Sequence, residues 1–203
     1  MASNLAVKQS QLISEAEYLA GERLAFDKHE YYDGYVIQMA GATREHNLIT
    51  GNIAGELRTQ LKGQPCETYS NDMRVKIPRK GRFTYPDVVV ACGKPQFLDN
   101  EFDTLLNPLL IVEVLSLTSR KYDFSEKFRD YRSIESFTEY LLVAQDSRDV
   151  NHFVKREALW TIQEVGERIE LTSIGCVLTL DEIYARIEFA GEQTQAEDRE
   201  RDE

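Results

Sequence analysis

The chain has 203 residues, 42% hydrophobic and 29% charged, with a formal net charge of −11. That is the composition of an ordinary globular protein long enough to bury a core without staples. No apolar run approaches the roughly 20 residues of a membrane span, which excludes a helical membrane protein, and the acidity argues against a nucleic-acid partner, because phosphate binding calls for a basic surface.

Ser14-Glu-Ala-Glu17 has the form of a capping box and predicts a short helix over Glu15–Ala20. Asp33-Gly34, set between β-favouring residues of Glu30–Met39, predicts a hairpin with a two-residue turn. From Thr43 the period changes: Ile49, Ile53, Leu57 and Leu61 recur every four residues and draw one apolar stripe on a helix. Thr43 can cap that helix, His46 falls on its inward side, and Gly63-Gln-Pro65 ends it. A strand over Glu67–Ile77 follows, then a turn at Pro78-Arg-Lys-Gly81, then a strand led by Pro86-Asp87 into Val88–Cys92. After a loop, 93–107, the run Leu109–Leu115 is apolar on both faces and reads as a buried central strand. A polar link over Ser116–Tyr122, a helix over Asp123–Ile134 and a buried strand Glu139–Ala144 complete a parallel βαβ unit. Short strands are expected at Asn151–Lys155, Trp160–Glu164 and Arg168–Leu171, and a closing helix at Leu180–Ile187. The whole reads as one domain, 1–190, followed by a charged tail, 191–203, expected to be disordered.

The three cysteines, Cys66, Cys92 and Cys176, are odd in number and lack C-x-x-C spacing, which argues against a disulfide framework or a zinc site and for a reducing compartment. MASNLAVKQSQ does not read as a signal peptide, so a cytoplasmic protein is expected. The tail Glu192–Glu203 has six acids against two arginines, leaving −7 on the body. Basic residues collect at Arg74, Lys76, Arg79, Lys80 and Arg82, and again at Arg120, Lys121, Lys127, Arg129 and Arg132.

Two acids stand out. Asp87 starts one apolar strand and Glu113 lies inside the next, and a carboxylate among apolar neighbours is costly unless paired, a metal ion being a common partner at functional sites. Lys127 follows on the next helical segment. Two acids and a lysine on adjacent elements are the parts needed to cut a phosphodiester with a divalent cation. Simpler readings stand beside this one: a turn acid at Asp87, an arginine partner for Glu113, a solvated Lys127, a core-packed His46 and a hairpin-surface Glu30. Tyr122 and Tyr131 read as packing residues, and Arg79-Lys80 equally as a solvated turn.

The element order, with Pro86-Asp87 and then Glu113 26 residues later, resembles the restriction-endonuclease-like superfamily, whose signature is Pro-Asp, a gap, then Asp or Glu, any residue and Lys. More narrowly the chain resembles the Uma2 family of nucleases. Glu30 with Asp33-Gly34, His46, Tyr85-Pro-Asp-Val-Val-Val90, Pro108–Val114, Ser116–Ser119, Asp123, Glu126-Lys-Phe128, Tyr131 and Glu139–Val143 carry the match, from about Ser14 to Glu188. The resemblance implies an α/β (mixed-sheet α+β) restriction-endonuclease-like αβββαβ core with an added N-terminal hairpin and C-terminal strands. It implies a metal-dependent endonuclease acting on DNA, with Asp87 and Glu113 holding Mg²⁺ or Mn²⁺, Lys127 as the catalytic lysine, and His46 and Glu30 as accessory site residues. Arg79, Lys80, Arg120 and Lys121 would then grip the nucleic acid. By analogy the enzyme would be a homodimer, without a membrane. Leu115 stands where the superfamily keeps its lysine, so Lys127 must reach the same point from the following helix. Leu115 and the acidic charge keep open a catalytically silent nucleic-acid- or protein-binding module on the same fold, and a metal-dependent hydrolase of small phosphates is a third reading.

Overall fold

The computed structural model describes residues 12–115 and 126–189. The polar link with Arg120, Lys121 and Tyr122, the capping position Asp123, the N-terminal MASNLAVKQSQ and the acidic tail lie outside the described residues. In chain order the elements are α1 (Glu15–Glu22), β1 (His29–Tyr32), β2 (Tyr35–Gln38), α2 (Arg44–Gln60), β3 (Cys66–Ser70), β4 (Arg74–Ile77), β5 (Arg82–Thr84), β6 (Val88–Cys92), β7 (Thr104–Leu105) and β8 (Leu110–Leu115). There follow α3 (Phe128–Tyr131), β9 (Glu139–Ala144), β10 (Val150–Arg156), β11 (Leu159–Gln163), β12 (Arg168–Leu171), β13 (Cys176–Thr179) and α4 (Leu180–Ile183).

The local signals of the sequence account for most element boundaries. Ser14 and Glu17 form the capping box of α1. Asp33 and Gly34 both take positive φ, at 49° and 88°, the mirror-image turn whose twist suits a two-residue hairpin, and Tyr32 pairs with Tyr35 across it. Thr43 caps α2 by accepting from the His46 N–H at 3.1 Å. The stripe Ile49, Ile53, Leu57 and Leu61 is buried as the four-residue spacing requires.

Six strands form the main sheet, in the order β11-β10-β9-β8-β6-β3. β6 runs antiparallel to both β3 and β8, and β9 lies parallel to β8, so the three-strand meander and the parallel fourth strand are present. β8 and β9 are buried along their whole lengths, as expected for strands covered on both faces. One face packs on α2 and on the β12–β13 hairpin; the other holds an aromatic-rich cluster including Tyr131, Phe137 and Tyr140.

The expected strand Glu67–Ile77 is two strands in different sheets. Asn71 takes φ 63°, a left-handed conformation that asparagine tolerates, and the chain turns there. Beyond the turn, β4 joins a second sheet, ordered β2-β1-β5-β4-β7. Pro78–Gly81 winds as a 3-10 turn rather than a plain turn. The expected closing helix is shorter: α4 ends at Ile183, and Arg186 takes φ 64°. The cysteine expectation is corrected too. Cys66 and Cys92 form a disulfide, because β3 and β6 place them directly opposite each other at one end of the ladder, a proximity that the count and spacing of cysteines do not encode. No helix of the described residues is long and apolar enough to cross a membrane.

Candidate active site

The two sheets, the N-terminus of α2 and Lys127 just before α3 line a cleft of about 710 Å³. The register of β6 on β8 builds its floor. The last pair is Val88 with Val112, so one step further Asp87 falls opposite Glu113, and both side chains belong to the same face of the ladder. Asp87 Oδ2 accepts the Val114 N–H at 2.7 Å and lies 3.3 Å from His46 Nε2. The Asp87 and His46 side chains are mostly covered but both line the cleft.

Glu113 is 4% exposed, and a carboxylate so buried needs compensation. It has two donors at one oxygen: Oε1 accepts the Tyr131 hydroxyl at 2.7 Å and lies 2.9 Å from Lys127 Nζ. Lys127 is itself 6% exposed and reaches Glu30 Oε1 at 3.4 Å, so one ammonium links a strand of each sheet. Glu30 also accepts the Thr84 hydroxyl and stands 3.6 Å from the Arg82 guanidinium. Behind it Arg82 pairs with Asp130 at 3.2 Å, both groups 1% exposed.

These pairings shape the titration of the site. Burial pushes the Glu30 carboxyl upward, but the charge of Lys127, the Thr84 hydroxyl and the charge of Arg82 outweigh it and hold the pKa below the ordinary value of 4.5. Burial, reinforced by the charges of Glu113 and Glu30, raises the Tyr131 phenol well above 10, so this hydroxyl stays a donor. The sign for Glu30 follows from linkage. A depressed carboxyl pKa contributes stability that is present above the unfolded value near 4.5 and is lost as pH falls through the lower folded value. Urea midpoints measured from neutral pH down through that window should therefore fall more steeply for the native chain than for Glu30→Gln; equal slopes would refute the assignment.

Of the residues singled out in the sequence, Asp87, Glu113, Lys127, His46 and Glu30 all line this one cleft. Lys127 is buried rather than solvated, Glu30 lines the cleft rather than the hairpin surface, and among the described residues a lysine and a tyrosine contact Glu113. Arg79 is about half exposed, reaches Asp130 at 3.8 Å, and is not among the lining residues. The Lys80 side chain, Arg120 and Lys121 lie outside what the structure describes. The sequence reading passed over the Tyr131 hydroxyl, Thr84, Arg82 and the Val114 amide. Tyr131 carried a signal: it follows Lys127 by four residues, the spacing that puts two side chains on one helix face.

The donor set suits a hard divalent cation. Among the described residues no three His, Cys, Asp or Glu side chains stand close enough to hold a metal ion by themselves. Magnesium, however, is commonly bound by one or two carboxylates with water and substrate phosphate completing the shell. Asp87 Oδ1 accepts no hydrogen bond from the described residues and so remains open to a ligand.

With this geometry in view, a sequence model of the family Uma2, described as "Putative restriction endonuclease", matches residues 16–181. The chain belongs to the Uma2 family. Two relatives from Synechocystis sp., the uncharacterized proteins sll1609 and slr1290, are 36% and 33% identical to this Uma2 chain. Those matches cover 82% and 87% of this chain and 96% and 94% of theirs. A crystal structure of a "putative nuclease belonging to DUF820" from Anabaena variabilis superposes with a TM-score of 0.62 over 79% of this chain and 92% of that one, at 15% identity. At that identity the likeness establishes the fold: the mixed α+β architecture seen here is that of a nuclease-like Uma2 protein. Within this Uma2 fold Leu115 is 2% exposed in the apolar cluster around Tyr131, and the ammonium beside Glu113 comes from Lys127.

Proposed function

We propose that this Uma2 protein is a metal-dependent endonuclease that hydrolyses DNA phosphodiesters, with Asp87 and Glu113 as the metal-holding carboxylates and Lys127 as the catalytic lysine. The observation that carries the reading is the 2.9 Å contact of Lys127 Nζ with Glu113 in the cleft that Asp87 also lines. The superfamily's three charges are gathered although its lysine position holds leucine.

When bound, Mg²⁺ or Mn²⁺ supplies charge neutralisation at the phosphate and a water of lowered pKa. The chain's own residues do the rest. Lys127, fixed by Glu113 on one side and Glu30 on the other, orients the attacking water and stabilises the charge that develops on the phosphoryl oxygens. Tyr131, a permanent donor, fixes the Glu113 carboxylate. The Val114 amide fixes Asp87 in the same way, and His46 beside it is placed to touch a phosphate oxygen or to steady the carboxylate.

The test is a cleavage assay on plasmid and single-stranded circular DNA across a panel of divalent metals, wild type beside Asp87→Ala. Cleavage that needs Mg²⁺ or Mn²⁺ and disappears in the variant supports the reading. A folded wild-type protein that cuts neither substrate with any metal, and gives no Mn²⁺ binding heat, overturns it in favour of a silent binding module.

A further inference from the structure

The proposed substrate is a polyanion, yet the described residues of the cleft do not form a basic surface. Its charged lining, among the described residues, is five carboxylates against two lysines, Lys28 and Lys127. Both lysines stand in ion pairs, Lys28 at 2.5 Å from Asp72 and Lys127 with Glu113. Two arginines of the first basic cluster are also engaged inside the fold, Arg74 with Asp103 at 2.8 Å and Arg82 with Asp130. A surface so arranged repels the paired phosphate rows of a duplex.

What the rim offers instead is an aromatic ring. Phe26 lines the cleft with its side chain wholly exposed, at 104%, and it belongs to none of the three apolar clusters. Asn47, Asn71 and Gln145 also line the cleft; Asn47 Nδ2 donates to the Thr43 carbonyl and Gln145 Oε1 accepts the Thr43 hydroxyl, which leaves Asn47 Oδ1 and Gln145 Nε2 for a base edge. A nucleobase offers what both features lack: a π face to stack on the ring and an edge of donors and acceptors for the amides. A duplex hides those faces, whereas an unpaired strand shows them at a lower charge density. The cleft's volume lies within the range of about 300–1,000 Å³ typical of sites that enclose a small molecule, room for a nucleotide rather than for a length of duplex.

We propose that the cleft takes the unpaired nucleotides of a single strand, and that Phe26 is the residue on which the entering base stacks. The inference rests on the nuclease reading and narrows its substrate.

The test uses the full chain with Ca²⁺ in place of Mg²⁺ to hold cleavage off. Fluorescence anisotropy is read for a short single strand and for a hairpin duplex of the same sequence. The single strand should bind about tenfold more tightly, and Phe26→Ala should weaken it about tenfold while Phe26→Trp retains it. Emission from 2-aminopurine in the strand should be quenched by the native protein and not by Phe26→Ala. The affinity should fall only shallowly with salt, a log–log slope of about −1 to −2, because few phosphates are gripped. A duplex that binds as tightly as the strand, or an unchanged Phe26→Ala, overturns the inference. If such a protein still cuts duplex DNA with a divalent metal, the nuclease reading stands and only the substrate assignment falls. Absence of binding and of cleavage with every metal overturns both.

Discussion

Lys127→Met is expected to lower the rate of DNA cleavage about 10²–10³-fold, the loss typical of one preorganised donor at a developing negative charge. The substitution keeps the aliphatic stem and removes only the ammonium, so Mn²⁺ binding at Asp87 and Glu113 should survive while single-turnover cleavage collapses. A rate within threefold of wild type would show that Lys127 is a structural counter-ion and nothing more. The companion experiment restores a lysine at the superfamily's usual position. Leu115→Lys in the Lys127→Met background is not expected to rescue, because Leu115 is buried among apolar side chains and does not line the cleft. An ammonium forced into that cluster should instead destabilise the fold by about 3 kcal/mol or more, read as a lower urea midpoint. Rescue by Leu115→Lys would mean that the apolar cluster yields and that the two lysine positions are interchangeable.

Asp130→Ala is expected to cost about 3–5 kcal/mol of stability. Arg82 and Asp130 are each 1% exposed and 3.2 Å apart, so removing the carboxylate takes from a buried guanidinium its nearest acid among the described residues, Glu30 standing 3.6 Å away. Arg79 and Arg129 also approach Asp130, at 3.8 and 3.7 Å, but both are about half exposed and should matter little. The double substitution Arg82→Met with Asp130→Leu removes both charges and should cost less than the sum of its parts. Urea unfolding of the two singles and the double gives that coupling directly. An additive cycle would show that the buried pair does not act as a unit.

What could be read before folding was whatever is encoded by neighbours in sequence. Asp33-Gly34 demands a particular turn, Ile49 to Leu61 demand one buried helix face, and Asp87 and Glu113 are conspicuous because acids are costly in apolar strands. What could not be read depends on which strands become neighbours. The departure of the chain at Asn71 from one sheet to the other is a single residue's φ, and asparagine is equally at home in ordinary loops. Arg82 looked like part of a basic surface and is instead an interior counter-ion, since nothing in its spacing announces Asp130 or Glu30. The same blindness hid the pairing of Cys66 with Cys92, which exists only because β3 and β6 are aligned in one register.

The ammonium of Lys127 meets Glu113 from one sheet and Glu30 from the other. Glu30 lies in β1 and Glu113 in β8, strands of different sheets, so the three charges meet only where the two sheets come together. On the proposed reading, catalytic competence would therefore report that both sheets have docked, because the ammonium is held by a carboxylate from each.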